Sequence, residues 1–170
     1  QFVRLWRNEL YPYFPEITGV KVVIGSDHAG FELKEYVKSV LEGNGWTITD
    51  VGTDSEASVD YPDLGVKAAE LVAGGLADRG ILVCGTGIGM TIVANKVRGI
   101  RASLVYDLYT AIQSRKHLDA NVLVLGGRIT GKDLAAEIVK VWLDTPFEGG
   151  RHQRRIDKIT KWEEEHLGEL

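Results

Sequence analysis

Residues 81–90, Ile-Leu-Val-Cys-Gly-Thr-Gly-Ile-Gly-Met, decide the fold. Four residues, Ile81–Cys84, form a continuous apolar run, which reads as a strand covered on both faces. Three alternating glycines follow, and Met90–Lys96 then continues as a helix. Strand, glycine turn, helix is the unit of a parallel sheet wrapped by helices. Reading outward, the same unit recurs. Lys21–Ser26, Trp46–Val51, Arg101–Val105 and Asn121–Leu125 are the other predicted strands. Helical periodicity marks Leu33 to Leu41, Tyr61 to Val72, Asp107 to Lys116 and Leu134 to Trp142, and a charged helix runs from Arg151 to His166. The expected fold is a doubly wound, Rossmann-like α/β domain: five parallel strands with helices on both faces. In such sheets, ligands sit beyond the carboxyl ends of the strands, where the strand order reverses.

Composition narrows the function. The chain has 170 residues and a formal charge of −4, which lacks the basic footprint of a nucleic-acid binder. No apolar run approaches the ~18 residues of a membrane span. One cysteine excludes an internal disulfide framework and any Cys-cluster zinc site. A cytoplasmic enzyme with no membrane partner is the simplest expectation. Residues 1–19, with Phe2, Trp6, Tyr11, Tyr13 and Phe14 among charges and prolines, read as an extension outside the 20–170 domain. They are either an appended segment or an arm whose aromatics dock on the domain or on a partner subunit.

The strand ends carry the chemistry. Asp27 and His28 follow the first strand; Asp27 suits a helix N-cap, and a histidine at a helix start also suits an anion. The Gly85–Gly89 turn lets backbone N–H groups converge on one oxygen-rich anion. It is no Walker A loop, and Met90 stands where a dinucleotide fingerprint needs its third glycine. Cys84 is either a small buried apolar residue or a thiol whose anionic form those N–H groups favour. Gly126-Gly127-Arg128 follows the fifth strand. Arg151 and Arg155, four apart, share a helix face, where a phosphate would offset their repulsion.

Together these motifs resemble the ribose-5-phosphate isomerase B family and its galactose 6-phosphate relatives. The matching segments are GSDHAG (25–30), DYPD (60–63), CGTGIGM (84–90), ANK (94–96), GIRA (99–102), SRKHLDANVL (114–123), GGR (126–128) and EGGRHQRRI (148–156). The resemblance implies an aldose–ketose isomerase of phosphorylated sugars that needs no metal and no cofactor. It implies Cys84 as the base that moves a proton between C2 and C1 through a cis-enediolate, with Thr86 beside it as a further catalytic residue. It assigns ring opening to His117 and the enediolate oxygen to the N–H groups of Gly85, Gly87, Ile88 and Gly89. The phosphate goes to His28, Arg128, Arg151 and Arg155, and the sugar oxygens to Asp27. Pattern alone would put the phosphate on the glycine loop; the resemblance moves it to the arginines. It also places His117 and at least some arginines on a neighbouring subunit, so the site needs a homodimer, and a tetramer stays open. Ribose-specific members usually carry Asn after the ring-opening histidine; Leu118 stands there, leaving six-carbon phosphates such as allose or galactose 6-phosphate open.

Three rivals share the fold. A nicotinamide-dependent oxidoreductase would use Asp107 as a ribose-binding acid. A non-catalytic sugar-phosphate sensor would need neither Cys84 nor His117. A metal-dependent isomerase would need a His/carboxylate ligand pair, and the sequence shows none within a matching motif.

Overall fold

The computed structural model describes residues 19–167. Expectations for residues 1–18 lie outside them. Five strands, β1 (Lys21–Ser26), β2 (Thr47–Asp50), β3 (Arg79–Cys84), β4 (Ala102–Leu104) and β5 (Val122–Gly126), form one sheet in the order β2-β1-β3-β5-β4. Every pairing is parallel. The helices among the described residues are α1 (Phe31–Gly43), α2 (Tyr61–Ala73), α3 (Ile88–Ala94), α4 (Leu108–Leu118), α5 (Lys132–Asp144) and α6 (Arg151–His166).

The chain order dictates which face each helix covers. A right-handed crossover puts its helix on one face when the chain steps one way along the sheet, and on the other when it steps back. β1 to β2 and β4 to β5 step in one direction, so α1 and α4 share a face, with α5 beside them. Steps from β2 to β3 and from β3 to β4 run oppositely and place α2 and α3 on the other face. Side-chain alternation completes the two cores. Val22, Ile24, Ile81 and Val83 join Leu33, Val37, Ile138 and the fully buried Trp142 on one side. Val23, Leu82, Cys84 and Val124 pack with Ala68, Ala69 and Met90 on the other.

Strand boundaries differ from the sequence reading by one or two residues, and β4 is the shortest. It is an edge strand with partly exposed residues, so its apolar run overstates the paired length. The helix after β1 starts at Phe31 with Gly30 as its N-cap. Asp27 is therefore not the N-cap. Its Oδ1 instead accepts from Gly30 N at 3.0 Å and closes the preceding turn. Asp107 does cap α4, accepting from Thr110 N at 2.8 Å. That capping role accounts for Asp107 and removes the case for it as a dinucleotide-binding acid.

Candidate active site

Successive strands step away from β1 in opposite directions, so the crevice at the carboxyl ends of β1 and β3 is the switch point where a doubly wound sheet receives ligands. Three strand-end loops meet there and pin one another. Asp27 N donates to Val83 O (3.3 Å), Gly127 N to Cys84 O (2.7 Å) and Arg128 N to Gly85 O (3.0 Å). These bonds hold Asp27, His28, the glycine loop and Arg128 around one mouth. Arg128 Nη1 lies 3.6 Å from where a Gly85 side chain would begin.

Cys84 ends β3 with 5% of its surface exposed, and its Sγ accepts from Gly87 N at 3.2 Å. Gly87 sits at φ 85, and a Cβ there would run into Leu104 Cδ1 and come within 3.1 Å of Leu125 O. Only glycine fits, and the resulting turn aims its N–H at the sulfur. The Ile88 N–H is taken by Thr86 Oγ1 at 3.2 Å. By contrast, the N–H groups of Gly85, Thr86, Gly89 and Met90 find no acceptor among the described residues. A buried thiol beside unpaired amide donors is a cradle for an anionic oxygen next to a base.

Two aromatics that the sequence reading did not single out shape this mouth. The Tyr61 ring lies 2.8 Å from a Cβ built on Gly89, so glycine is needed there to seat it. Tyr106 Oη donates to Thr86 O at 2.8 Å and braces the loop. DYPD carried the signal for Tyr61; nothing local marked Tyr106. His28 is half-buried, and its Nδ1 accepts from Val59 N at 3.3 Å. In the neutral ring the proton then sits on Nε2, which becomes a donor.

His117, Leu118, Arg151 and Arg155 are elsewhere. Helix α4 returns the chain from the carboxyl edge of the sheet to its amino edge, about 16 Å at 1.5 Å per residue. His117 and Leu118 end that helix; Leu118 O accepts from Arg101 Nε (2.8 Å), just before β4 begins. Arg151 starts α6 at the same edge. Here the His117 and His152 rings stack, with centroids 4.1 Å apart and planes 11° apart. Glu148 Oε2 lies 4.0 Å from His117 Nε2 and 3.8 Å from His152 Nε2. Glu148 N donates to Lys116 O, and Lys116 Nζ pairs with Glu148 at 3.3 Å. Arg115, 3% exposed, ties this edge together through Thr145 O, Ala120 O and Asp119. Arg151 and Arg155 point outward and are exposed.

The sequence shows no His/carboxylate ligand pair within a matching motif, yet the fold brings such a set together. His117, Glu148 and His152 bring ligand atoms within 4.8 Å of one another. Their geometry fits an ion-paired cluster better than a cation. Stacked rings keep the two Nε2 lone pairs side by side, and Arg151 Nε, 3.4 Å from His152 Nε2, donates into that position. Sequence could not foresee this set, because it arises where α4 ends against the start of α6.

One copy thus holds two half-sites at opposite edges of the sheet: thiol, glycine loop, Asp27, His28 and Arg128 at one, and His117 with Arg151 and Arg155 at the other. A groove of about 340 Å³ borders the free edge of β4, lined by Ser103 and Leu104 near the loop and by Gln113, His117 and Leu118 on α4.

The fold and the strand-end thiol define a doubly wound α/β protein with a buried thiol and unpaired amide donors at its switch point. Comparison with known proteins makes this specific. The family model described as Ribose/Galactose Isomerase matches residues 22–159. Ribose-5-phosphate isomerase B of Escherichia coli is 46% identical over 144 residues, covering 85% of this chain and 97% of that protein. The ribose-5-phosphate isomerase B structure from Clostridium thermocellum superposes with a TM-score of 0.85 at 50% identity, covering 86% of this chain and 99% of that one. The Mycoplasma genitalium enzyme with bound ribulose 5-phosphate superposes at 0.82 and 42% identity, covering 86% and 98%. The chain belongs to the ribose/galactose isomerase family.

Proposed function

We propose that this chain is an aldose–ketose isomerase that interconverts ribose 5-phosphate and ribulose 5-phosphate, as a homodimer whose sites each join the two half-sites of different copies. The observation that carries it is the buried Cys84 thiol beside amide donors without acceptors. Cys84, as thiolate, removes the C2 proton of the open-chain aldose. The negative charge moves to the carbonyl oxygen, where the loop N–H groups hold it; each well-placed donor contributes about 3 kcal/mol to such an oxyanion. The hydroxyl proton on O2 shifts to O1 within the cis-enediolate, and the same sulfur returns its proton to C1, because both carbons offer the same face. Thr86 and Asp27 keep the sugar in register. His28 Nε2–H and Arg128 grip the phosphate from one copy. Arg151 and Arg155 close on it from the other, whose His117 opens the sugar ring. A base of this kind must stay reduced, which supports a cytoplasmic setting.

Assay of ribose 5-phosphate turnover tests the reading. Wild type should isomerise, and Cys84→Ala should lose at least about 10³-fold in kcat, as removal of an essential proton carrier does. An undiminished Cys84→Ala rate would overturn it. Leu118 supports a second reading on sugar choice. It is apolar, 47% exposed and adjacent to His117, so it offers the sugar no hydrogen bond. A panel of ribose, allose and galactose phosphates on wild type and Leu118→Asn decides between them. A gain in kcat/KM for ribose 5-phosphate in the variant would tie selectivity to this position.

A further inference from the structure

We propose that His152 is a positioning residue for ring opening: its buried imidazole is the plate against which the His117 ring is held in its working orientation. This rests on the role given to His117 above. No hydrogen bond holds either ring nitrogen of His117 among the described residues, and its side chain is 41% exposed. An imidazole so placed would rotate freely unless something flat lay against it. His152 supplies that surface at 4.1 Å, nearly parallel, from the inner face of α6, where it and Ile156 are the buried residues. Arg151 and Arg155 occupy the outer face. One turn of helix therefore presents the phosphate-binding pair outward and the plate inward.

The plate must be uncharged as well as flat. His152 Nε2 accepts from Arg151 Nε, which leaves the ring proton on Nδ1 and the ring neutral. Burial first, then His117, Arg151 and Arg155, hold His152 below the ordinary imidazole range, against the pull of Glu148. A neutral plate tolerates a proton arriving on His117, whereas a second cation face to face would repel it. Glu148 Oε2 lies 4.0 Å from His117 Nε2.

The test compares His152→Phe, which keeps a flat plate, with His152→Leu, which keeps apolar volume without one. In His152→Leu, kcat/KM for ribose 5-phosphate should fall about tenfold to a hundredfold, the usual cost of a displaced catalytic group. The primary isotope effect with C2-deuterated ribose 5-phosphate should shrink toward one, because ring opening becomes limiting. Exchange of solvent deuterium into C1 of ribulose 5-phosphate, a sugar that needs no ring opening, should stay within about twofold of wild type. His152→Phe should retain most activity and the full isotope effect. Equal behaviour of the two variants, or a slowed His152→Leu with an unchanged isotope effect, overturns the proposal. NMR gives a readout independent of turnover: the ring-current shift of His117 Hε1 should survive in His152→Phe and vanish in His152→Leu. A wild type without isomerase activity would count against the proposed function, while the NMR comparison would still decide the plate.

Discussion

Gly87 shows how much a single backbone position decides. Its φ of 85 is open to glycine and costly for any residue with a Cβ, and the space a Cβ would need is filled by Leu104 and the Leu125 carbonyl. Its N–H is the donor to Cys84 Sγ. Gly87→Ala should therefore cost about 1–3 kcal/mol in stability, seen as a lower Tm, and should lower kcat more than it raises KM. A variant with wild-type melting and turnover would remove the claim that the turn orients the thiol. The alternating glycines at 85, 87 and 89 were readable as places of close approach, and 87 and 89 bear that out. Glu148 and His152 were not readable in the same way. Glu148 precedes a helix and His152 lies between Arg151 and Gln153, so sequence shows a solvated charged turn. Only the packing of α4 against α6 buries His152 and brings the exposed Glu148 beside it.

At the scale of elements, α1 is fastened to β2 by one carboxylate. Asp50 at the end of β2 accepts from Lys34 Nζ at 2.6 Å and from Lys38 Nζ at 3.0 Å, and Lys34 is 1% exposed. Burial alone would raise the Asp50 pKa, but the hydrogen bonds from Lys34, Gly52 N and Lys38 outweigh it and hold the carboxyl below its usual range. A carboxyl whose native pKa is depressed binds protons more readily in the unfolded chain. Its stabilisation is therefore complete above the unfolded value near 4 and is lost as pH falls through the lower native value. Asp50→Asn should cost about 2 kcal/mol at pH 7, since it weakens the pairing of a buried ammonium. The gap in unfolding free energy between variant and wild type should close as pH falls through that lower native value. Denaturant titrations at several pH values check this; a constant gap would show that the charge is not what Asp50 contributes. The alternation of strands and helices was plain in the sequence for a related reason. Strands buried on both faces must be apolar throughout, and the helices between them keep one polar side. The direction of α4 was also available there: in a parallel sheet every helix returns the chain to the amino edge. A histidine ending the helix before β5 could therefore not reach a thiol ending β3 in the same copy.

For the whole molecule, that separation bears on the proposed dimer. Cys84 and His117 lie at opposite edges of a sheet whose strands are up to six residues long, at about 3.3 Å per residue. No side-chain rotation spans that gap. The proposed dimer would: a two-fold axis that sets the carboxyl edge of one copy against the amino edge of the other creates two equal sites. The surfaces between the half-sites suit such a contact. Ile88 and Ile92, one turn apart on α3 beside the glycine loop, are 52% and 57% exposed, and Tyr109 at the start of α4 is 71% exposed. Crossed sites predict complementation. Cys84→Ala and His117→Ala homodimers should each be nearly inactive. If the two are unfolded together and refolded in equal amounts, half the dimers are mixed. In a mixed dimer one site carries both lesions, while the other takes an intact Cys84 from one copy and an intact His117 from its partner. Activity should return to about a quarter of wild type. If each site were built within one copy, every site in the mixture would still carry a lesion and no activity would return.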